Sequence, residues 1–313
     1  MSIAEQYDDI ARCNKCGFCQ VACPVFRATG DEAGVARGRI ALLRALIEER
    51  MEWTKELEGP LFNCLRCGAC TSNCFPAVAT ADLLGDARAE YLDKVGKNIF
   101  HRTLFRHLLP NPARLRRTAR AVAFGKNRGL SKVAGALGML RAFGRDFAKA
   151  EGIIERMPER AYRSMTPPGI LQGSGESLRI AFFVGCGIDL LCPGAAGSTV
   201  DLLRKLGKSV HVLDNCCCGL PAETYGDKEA RGDLASRNLD LLEPDSFDVV
   251  VTDCSSCAAF LKRYPSFFAD GDPRRAKADE VAKRDRDCHE LLDQVHRDDR
   301  DPPKPVVVTW HDT

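Results

Sequence analysis

The sequence predicts a two-domain protein: a small helical domain organised around cysteines, followed by an α/β domain on a parallel sheet. Three observations predict it. Eight of the 16 cysteines fall in two identically spaced runs before residue 75. Apolar segments of strand and helix length alternate from about residue 178. Further cysteines stand at the ends of those strands. A length of 313 residues, with 45% hydrophobic and 28% charged residues, suits two domains and a connector and excludes disordered and fibrous classes. The cysteine content is too low for a disulfide scaffold. The opening residues show no basic and apolar secretory pattern, and the longest apolar stretches, such as 180–185, fall far short of the roughly 18 residues of a membrane span. The expected setting is a reducing cytoplasm, where so many thiols serve metal or redox chemistry.

The two runs are Cys13, Cys16, Cys19, Cys23 and Cys64, Cys67, Cys70, Cys74, each spaced C-x2-C-x2-C-x3-C. Their flanks echo one another: Lys15-Cys16-Gly17-Phe18-Cys19 against Arg66-Cys67-Gly68-Ala69-Cys70. This is the bacterial ferredoxin pattern, in which three thiolates of a run wrap one cubane and the fourth reaches the other cluster. It assigns Cys13, Cys16, Cys19 and Cys74 to one 4Fe–4S cluster, and Cys64, Cys67, Cys70 and Cys23 to a second. Structural zinc, commonly held by separated C-x2-C pairs, fits such crowding poorly. Pro24 follows Cys23 directly, whereas Phe75 separates Cys74 from Pro76.

Between the runs, 39–50 (RIALLRALIEER) places Ile40, Leu43 and Ile47 on one helical stripe. Residues 80–95 also read as helix. Residues 1–98 are therefore expected to form a helical two-cluster ferredoxin domain that passes single electrons.

Residues 100–150 hold 12 Lys and Arg against one acid, Asp146. Leu104, Leu108, Leu137 and Leu140 recur at helical spacing, so 99–177 reads as a basic helical linker. An acidic partner subunit or an anionic membrane surface suits the charge, as does a solvated helix packed by its apolar stripe. Nucleic acid is not expected, because no binding motif accompanies the charge. Pro167, Pro168, Gly169, Gly173 and Gly175 read as a loop at the next boundary.

From 178 to 313 the pattern is strand 179–185, helix 198–206, strand 209–213, helix 227–242, strand 247–252, helix 256–264 and a last strand 306–310. Alternation of this kind argues for a parallel sheet with crossover helices. Cys186 follows the first strand, Cys216-Cys217-Cys218-Gly219 the second, and Cys254-x2-Cys257 the third. Ligands of open parallel sheets bind at the carboxyl ends of strands, so five thiols can converge there. The Asp- and Arg-rich 270–301 reads as a solvated helix and tail.

Cys186, Cys217-Cys218-Gly219 and Cys254-x2-Cys257, with the N-terminal pair of runs and the basic linker, resemble the CCG-domain iron–sulfur proteins. That family includes heterodisulfide reductase subunits and the iron–sulfur subunits of glycolate and lactate oxidases. The likeness to the glycolate oxidase subunit runs along most of the chain. It implies a noncubane 4Fe–4S cluster on Cys186, Cys217, Cys218, Cys254 and Cys257. It also implies electron transfer from a flavoprotein oxidising a 2-hydroxyacid toward a quinone or another acceptor, at the inner face of a membrane or free in the cytoplasm. The complete C-x2-C supports a second reading, a heterodisulfide-reductase-like subunit that cleaves a disulfide. Residues 307–313 (VVTWHDT) resemble the opening of a second CCG repeat that breaks off at Thr313, and His311 could approach the same edge. No catalytic residue is assigned.

Cys192, Cys216 and Cys288 fit none of these patterns and read as inert thiols, with Cys216 notable for its place beside the pair. Leu206-Gly207-Lys208-Ser209 imitates the end of a phosphate loop, but Leu202 occupies the required glycine position. No flavin or nicotinamide motif is present, so electrons must arrive from another chain.

Overall fold

A computed structural model describes residues 2–97, 99–137 and 153–295. The described chain divides into two compact units, one comprising residues 2–102 with Pro221–Arg231, the other Thr103–Leu220 with residues from Gly232 onward.

The first unit is helical. Each cysteine run curls into a short helix, α1 (Phe18–Ala22) with α2 (Pro24–Thr29) for the first and α4 (Ala69–Ser72) for the second. Between them lies α3 (Ala36–Ile47), and after them α5 (Thr80–Lys94). The apolar stripe of α3 buries Ile40, Leu43 and Leu46 against Leu83, Leu84 and Ala87 of α5 in one core. Both helices thus match the helical period of their sequences.

The second unit begins with the basic segment, which contains α6 (Pro112–Asn127) and α7 (Leu130–Ala136). A five-stranded sheet follows: β1 (Gly169–Gln172), β2 (Arg179–Phe183), β3 (Ser209–Val212), β4 (Val249–Thr252) and β5 (Asp285–Asp287), in the order β1-β3-β2-β4-β5. The crossover helices include α8 (Cys186–Leu191), α9 (Pro193–Leu206), α10 (Lys228–Leu241), α11 (Ser255–Leu261) and α12 (Pro273–Arg284), and α13 (Cys288–Val295) follows β5. Strands β2 and β4 are apolar on both faces, as central parallel strands must be. Phe182, Val184, Val210, Val212 and Val251 fill the core beneath α9.

Three expectations are corrected. The sheet is mixed rather than wholly parallel, because β1 pairs antiparallel with β3, Gly169 opposite Val212 and Gln172 opposite Ser209. Of the glycines read as a loop, Gly169 opens β1, whereas Gly173 and Gly175 lie in the loop after it and run close to another backbone segment. A Cβ on Gly173 would lie 1.9 Å from the carbonyl oxygen of Gly207, and one on Gly175 would lie 2.1 Å from that of Leu206. The acidic stretch after residue 270 is also not merely solvated. Its strand β5 pairs with β4, and Asp285 is fully buried. The expected strand 306–310, His311 and Leu140 lie outside the described residues.

Candidate metal centres

In the first unit the two cysteine loops share one backbone conformation. Lys15 (φ 54°) and Gly17 (φ 90°) are left-handed, as are Arg66 (φ 53°) and Gly68 (φ 78°) at the equivalent places. Left-handed residues alternating with ordinary ones turn successive N–H groups inward, a concave arrangement that suits an anionic group. Sulfur atoms already accept such donors: Cys23 Sγ from the Phe26 N–H at 3.5 Å, Cys64 Sγ from Arg66 at 3.4 Å and Cys74 Sγ from Val78 at 3.4 Å. Pro24 opens α2 at its first turn, with Cys23 as the cap. After Cys74 the additional Phe75 is 90% exposed, and Ala77 turns back through φ 56°.

Two cavities lie against these loops. One is lined by Cys13, Cys16, Cys19, Cys70 and Cys74, with Ile40 and Val78 in its apolar wall. The other is lined by Cys64, Cys67, Cys70 and Cys23. Each therefore holds three thiols of one run and the fourth of the other, and Cys70 lines both. Burial pushes the Cys19 and Cys70 thiols upward in pKa, the cost of holding a thiolate there without a cation. Arg88, almost fully buried, donates to the carbonyls of Leu61 at 2.9 and 2.7 Å and of Cys64 at 2.7 Å, tying α5 to the second loop.

In the second unit, Cys186, Cys217, Cys218, Cys254 and Cys257 meet at the carboxyl ends of β2, β3 and β4. Cys186 Sγ lies 3.8 Å from Cys217 Sγ. Cys217 and Cys218 interact through their side chains, as do Cys218 and Cys257, and Cys257 and Cys254. Electrostatic coupling thus runs through all five thiols. Proton sharing divides them: Cys217 and Cys257 draw Cys218 down to about 5, and Cys257 draws Cys254 down to about 6. Donation to Cys217 and burial hold Cys186 well above the thiol range. A cluster of soft donors, three of them buried, has the chemistry of an iron–sulfur site.

The supporting shell is polar and buried. Asn215 accepts from Val184 N–H at 3.0 Å and donates to the carbonyls of Val184 and Cys216 at 3.0 and 2.9 Å, joining the first two thiol loops. Asn238 donates to the Cys217 carbonyl at 3.0 Å, and Tyr264 donates its hydroxyl to the Cys218 carbonyl at 2.7 Å. Arg163 pairs with Asp189 at 3.0 Å and donates to the carbonyls of Leu213 and Asn215. A Cβ on Gly185 would stand 2.8 Å from Cys254 Cβ, so only glycine lets these two strand ends approach. None of these supports was identified from sequence. Their partners are distant in the chain, and only Asp189, three residues after Cys186, carried a local hint.

The remaining thiols fall elsewhere. Cys216 is buried and turned toward α10, 3.2 Å from Asn238 Oδ1, with its pKa pushed up to about 12 by burial. Cys192 is exposed. Cys288 lies beside Asp287 and His289 at the start of α13, with 3.5 Å between its sulfur and His289 Nδ1.

Comparison with known proteins agrees with this inventory. Residues 9–78 match a 4Fe-4S dicluster domain, 180–262 a cysteine-rich CCG domain, and 96–154 the linker region of the glycolate oxidase iron-sulfur subunit. The chain thus carries a 4Fe-4S dicluster domain and a cysteine-rich CCG domain. It is 27% identical over 313 aligned residues to the probable glycolate oxidase iron-sulfur subunit of Bacillus subtilis, covering 97% of this chain and 70% of the relative. To the glycolate oxidase iron-sulfur subunit of Escherichia coli it is 27% identical over 297, covering 92% and 67%. Lactate utilization protein A of Geobacillus kaustophilus is 37% identical over 121 residues, covering 38% and 49%. No solved structure matches the chain. Its homology to these subunits makes the chain an iron–sulfur subunit of the electron-transfer kind. Among the described residues no helix is long and apolar enough to cross a membrane.

Proposed function

We propose that this chain is the electron-transfer subunit of a cytoplasmic, flavin-dependent 2-hydroxyacid oxidoreductase of the glycolate or lactate type. It takes single electrons from a flavoprotein subunit and passes them toward a quinone or another acceptor. One observation supports the reading: each of two cavities holds three cysteines of one run and the last of the other, with Cys70 lining both. Cys13, Cys16, Cys19 and Cys74 are the ligands of one 4Fe–4S cubane, and Cys64, Cys67, Cys70 and Cys23 those of the second. Cys186, Cys217, Cys218, Cys254 and Cys257 are the ligands of a third, noncubane cluster. When bound, such groups supply one-electron redox chemistry with filled coordination. The chain's own contribution is orientation and exclusion of water. Left-handed loops aim N–H groups at the sulfurs, while Ile40, Val78 and the buried Asn215–Asn238–Tyr264 shell keep solvent away. The ferredoxin part is assigned to 1–98, the linker to 99–177 and the cysteine-rich part to 178 onward.

Anaerobic purification with iron and sulfide analysis and paramagnetic resonance tests the reading. Two cubane signals, a distinct third centre and copurification with a flavoprotein are expected. A colourless, iron-free preparation overturns it. The complete set of five thiols favours one alternative, a heterodisulfide-reductase-like subunit. Release of thiol from a disulfide by the isolated, reduced chain would replace the first reading with that one.

A further inference from the structure

We infer that the turn from β5 into α13 is a binding site for a single zinc ion, held by Asp287, Cys288 and His289. The inference goes beyond the electron-transfer reading and does not depend on which cysteines hold which cluster. It gives a role to Cys288, a thiol that none of the sequence patterns uses.

Three consecutive side chains seldom point the same way. A strand sends neighbours to opposite faces, and a helix spreads them around its axis. Here the chain leaves β5 at Asp287 and enters α13 at Cys288, and the change of period draws the three together. One ligand atom from each of Asp287, Cys288 and His289 lies within 4.8 Å of the other two. His289 Nδ1 stands 2.8 Å from Asp287 Oδ1 and 3.5 Å from Cys288 Sγ. Around a tetrahedral zinc, bonds of ordinary length hold a sulfur and a nitrogen ligand about 3.5 Å apart. Asp287 is fixed from behind: Ser255 at the start of α11 donates to its Oδ2 at 2.9 Å, and its own N–H donates to Glu290 at 2.8 Å.

A nucleophilic triad uses the same residue types but arranges them differently. Its histidine meets the nucleophile through one ring nitrogen and the acid through the other. In this turn both contacts fall on Nδ1, so the ring cannot relay a proton between Cys288 and Asp287. The three donors converge on one point instead, as ligands of a cation do. A sulfur, a nitrogen and an oxygen together suit zinc better than a hard cation such as magnesium or calcium. The surrounding charge agrees. Asp253, the residue after β4, has a buried Oδ2 with no hydrogen-bond partner among the described residues, and its charge acts on both Asp287 and Cys288. A buried carboxylate oxygen without a donor is costly, and a cation beside it offsets that cost. His289 is exposed, which leaves the ion a path of entry. Coordination displaces the Cys288 thiol proton and the proton between His289 and Asp287, and water completes the four positions.

The test uses the whole, anaerobically purified chain, dialysed to equilibrium against micromolar zinc chloride. The wild type should retain one zinc per chain more than Cys288→Ser or His289→Gln. Each variant should weaken zinc uptake by at least about tenfold, since even changes behind a metal's ligands cost that much. X-ray absorption at the zinc edge, which iron does not obscure, should show one sulfur at about 2.3 Å and nitrogen or oxygen at about 2.0–2.1 Å. Circular dichroism, iron content and paramagnetic signals should be the same in all three proteins, because neither residue belongs to the proposed cluster ligands. Equal zinc retention by the wild type and both variants overturns the inference. So does a zinc shell of three or four sulfurs, which would place the ion among the other thiols. Absence of iron signals from all three proteins would count against the electron-transfer reading, and the difference in zinc would still decide this one.

Discussion

The two groups of thiols are built by opposite means. In the N-terminal unit the cysteines stand on short loops and are mostly half-buried or exposed, and each loop is shaped by its own left-handed residues. In the cysteine-rich unit Cys217, Cys218 and Cys257 are buried, and five thiols from three separate strand ends are electrostatically coupled, Cys186 lying 3.8 Å from Cys217. Local backbone conformation creates the first kind of site, and sheet topology creates the second. A change to a loop should therefore act on one centre alone. A change to the buried shell should act on the fold that assembles the other.

The largest effect should come from removing a thiol on each side. Cys67→Ser should abolish one cubane signal and leave the third centre, whereas Cys257→Ser should abolish the third centre and leave both cubanes. Paramagnetic resonance with iron analysis reads both, and a loss of all signals from either variant would break the contrast. Next in size is Arg163→Met. It leaves Asp189 buried without its partner and frees the carbonyls of Leu213 and Asn215, at a cost of about 3–5 kcal/mol. Chemical denaturation should show the loss, and the cubane signals of the folded fraction should be unchanged.

A pH dependence sharpens the comparison further. Asp285 is fully buried, neither carboxylate oxygen has a hydrogen-bond partner among the described residues, and burial pushes its pKa up to about 8. The unfolded chain gives up this proton near the ordinary value of 3.8. The folded state is therefore favoured fully below that value and loses the advantage as pH rises through about 8. The melting temperature of the cysteine-rich unit should fall between pH 6 and 9, and Asp285→Asn should flatten the trend.

The smallest effects separate two glycines. Gly68→Ala meets open space and pays only for a left-handed backbone, about 1 kcal/mol. Gly185→Ala has an ordinary backbone but drives its Cβ against Cys254, about 1–3 kcal/mol. The first should broaden one cubane signal, and the second should perturb only the third centre. Equal perturbation of all centres by either variant would remove the distinction between local and topological construction.

Legibility in the sequence follows the same division. The grouping of Cys13, Cys16 and Cys19 could be read directly because three-residue spacing is itself the loop geometry. Most helices and the strands β2, β3 and β4 could be read because their apolar periods are long enough to be unambiguous. The antiparallel β1 could not, since Pro167, Pro168 and its flanking glycines carry the composition of a loop. Their contacts with Leu206 and Gly207 exist only after the chain returns. Strand β5 was hidden by charge, three residues reading Asp-Arg-Asp whose pairing with β4 is a matter of tertiary neighbours. Asn215, Asn238, Tyr264 and Arg163 were invisible for the same reason.

Three consecutive cysteines, 216 to 218, offer any incoming metal two adjacent pairs from which to choose. The fold resolves the choice beforehand. Cys216 has both its amide and its sulfur engaged by Asn238, and its carbonyl is held by Asn215. Slipping by one position would have to tear out these three bonds and rotate the whole turn. On the proposed ligand assignment, these bonds hold the neighbouring thiol away from the pair Cys217 and Cys218.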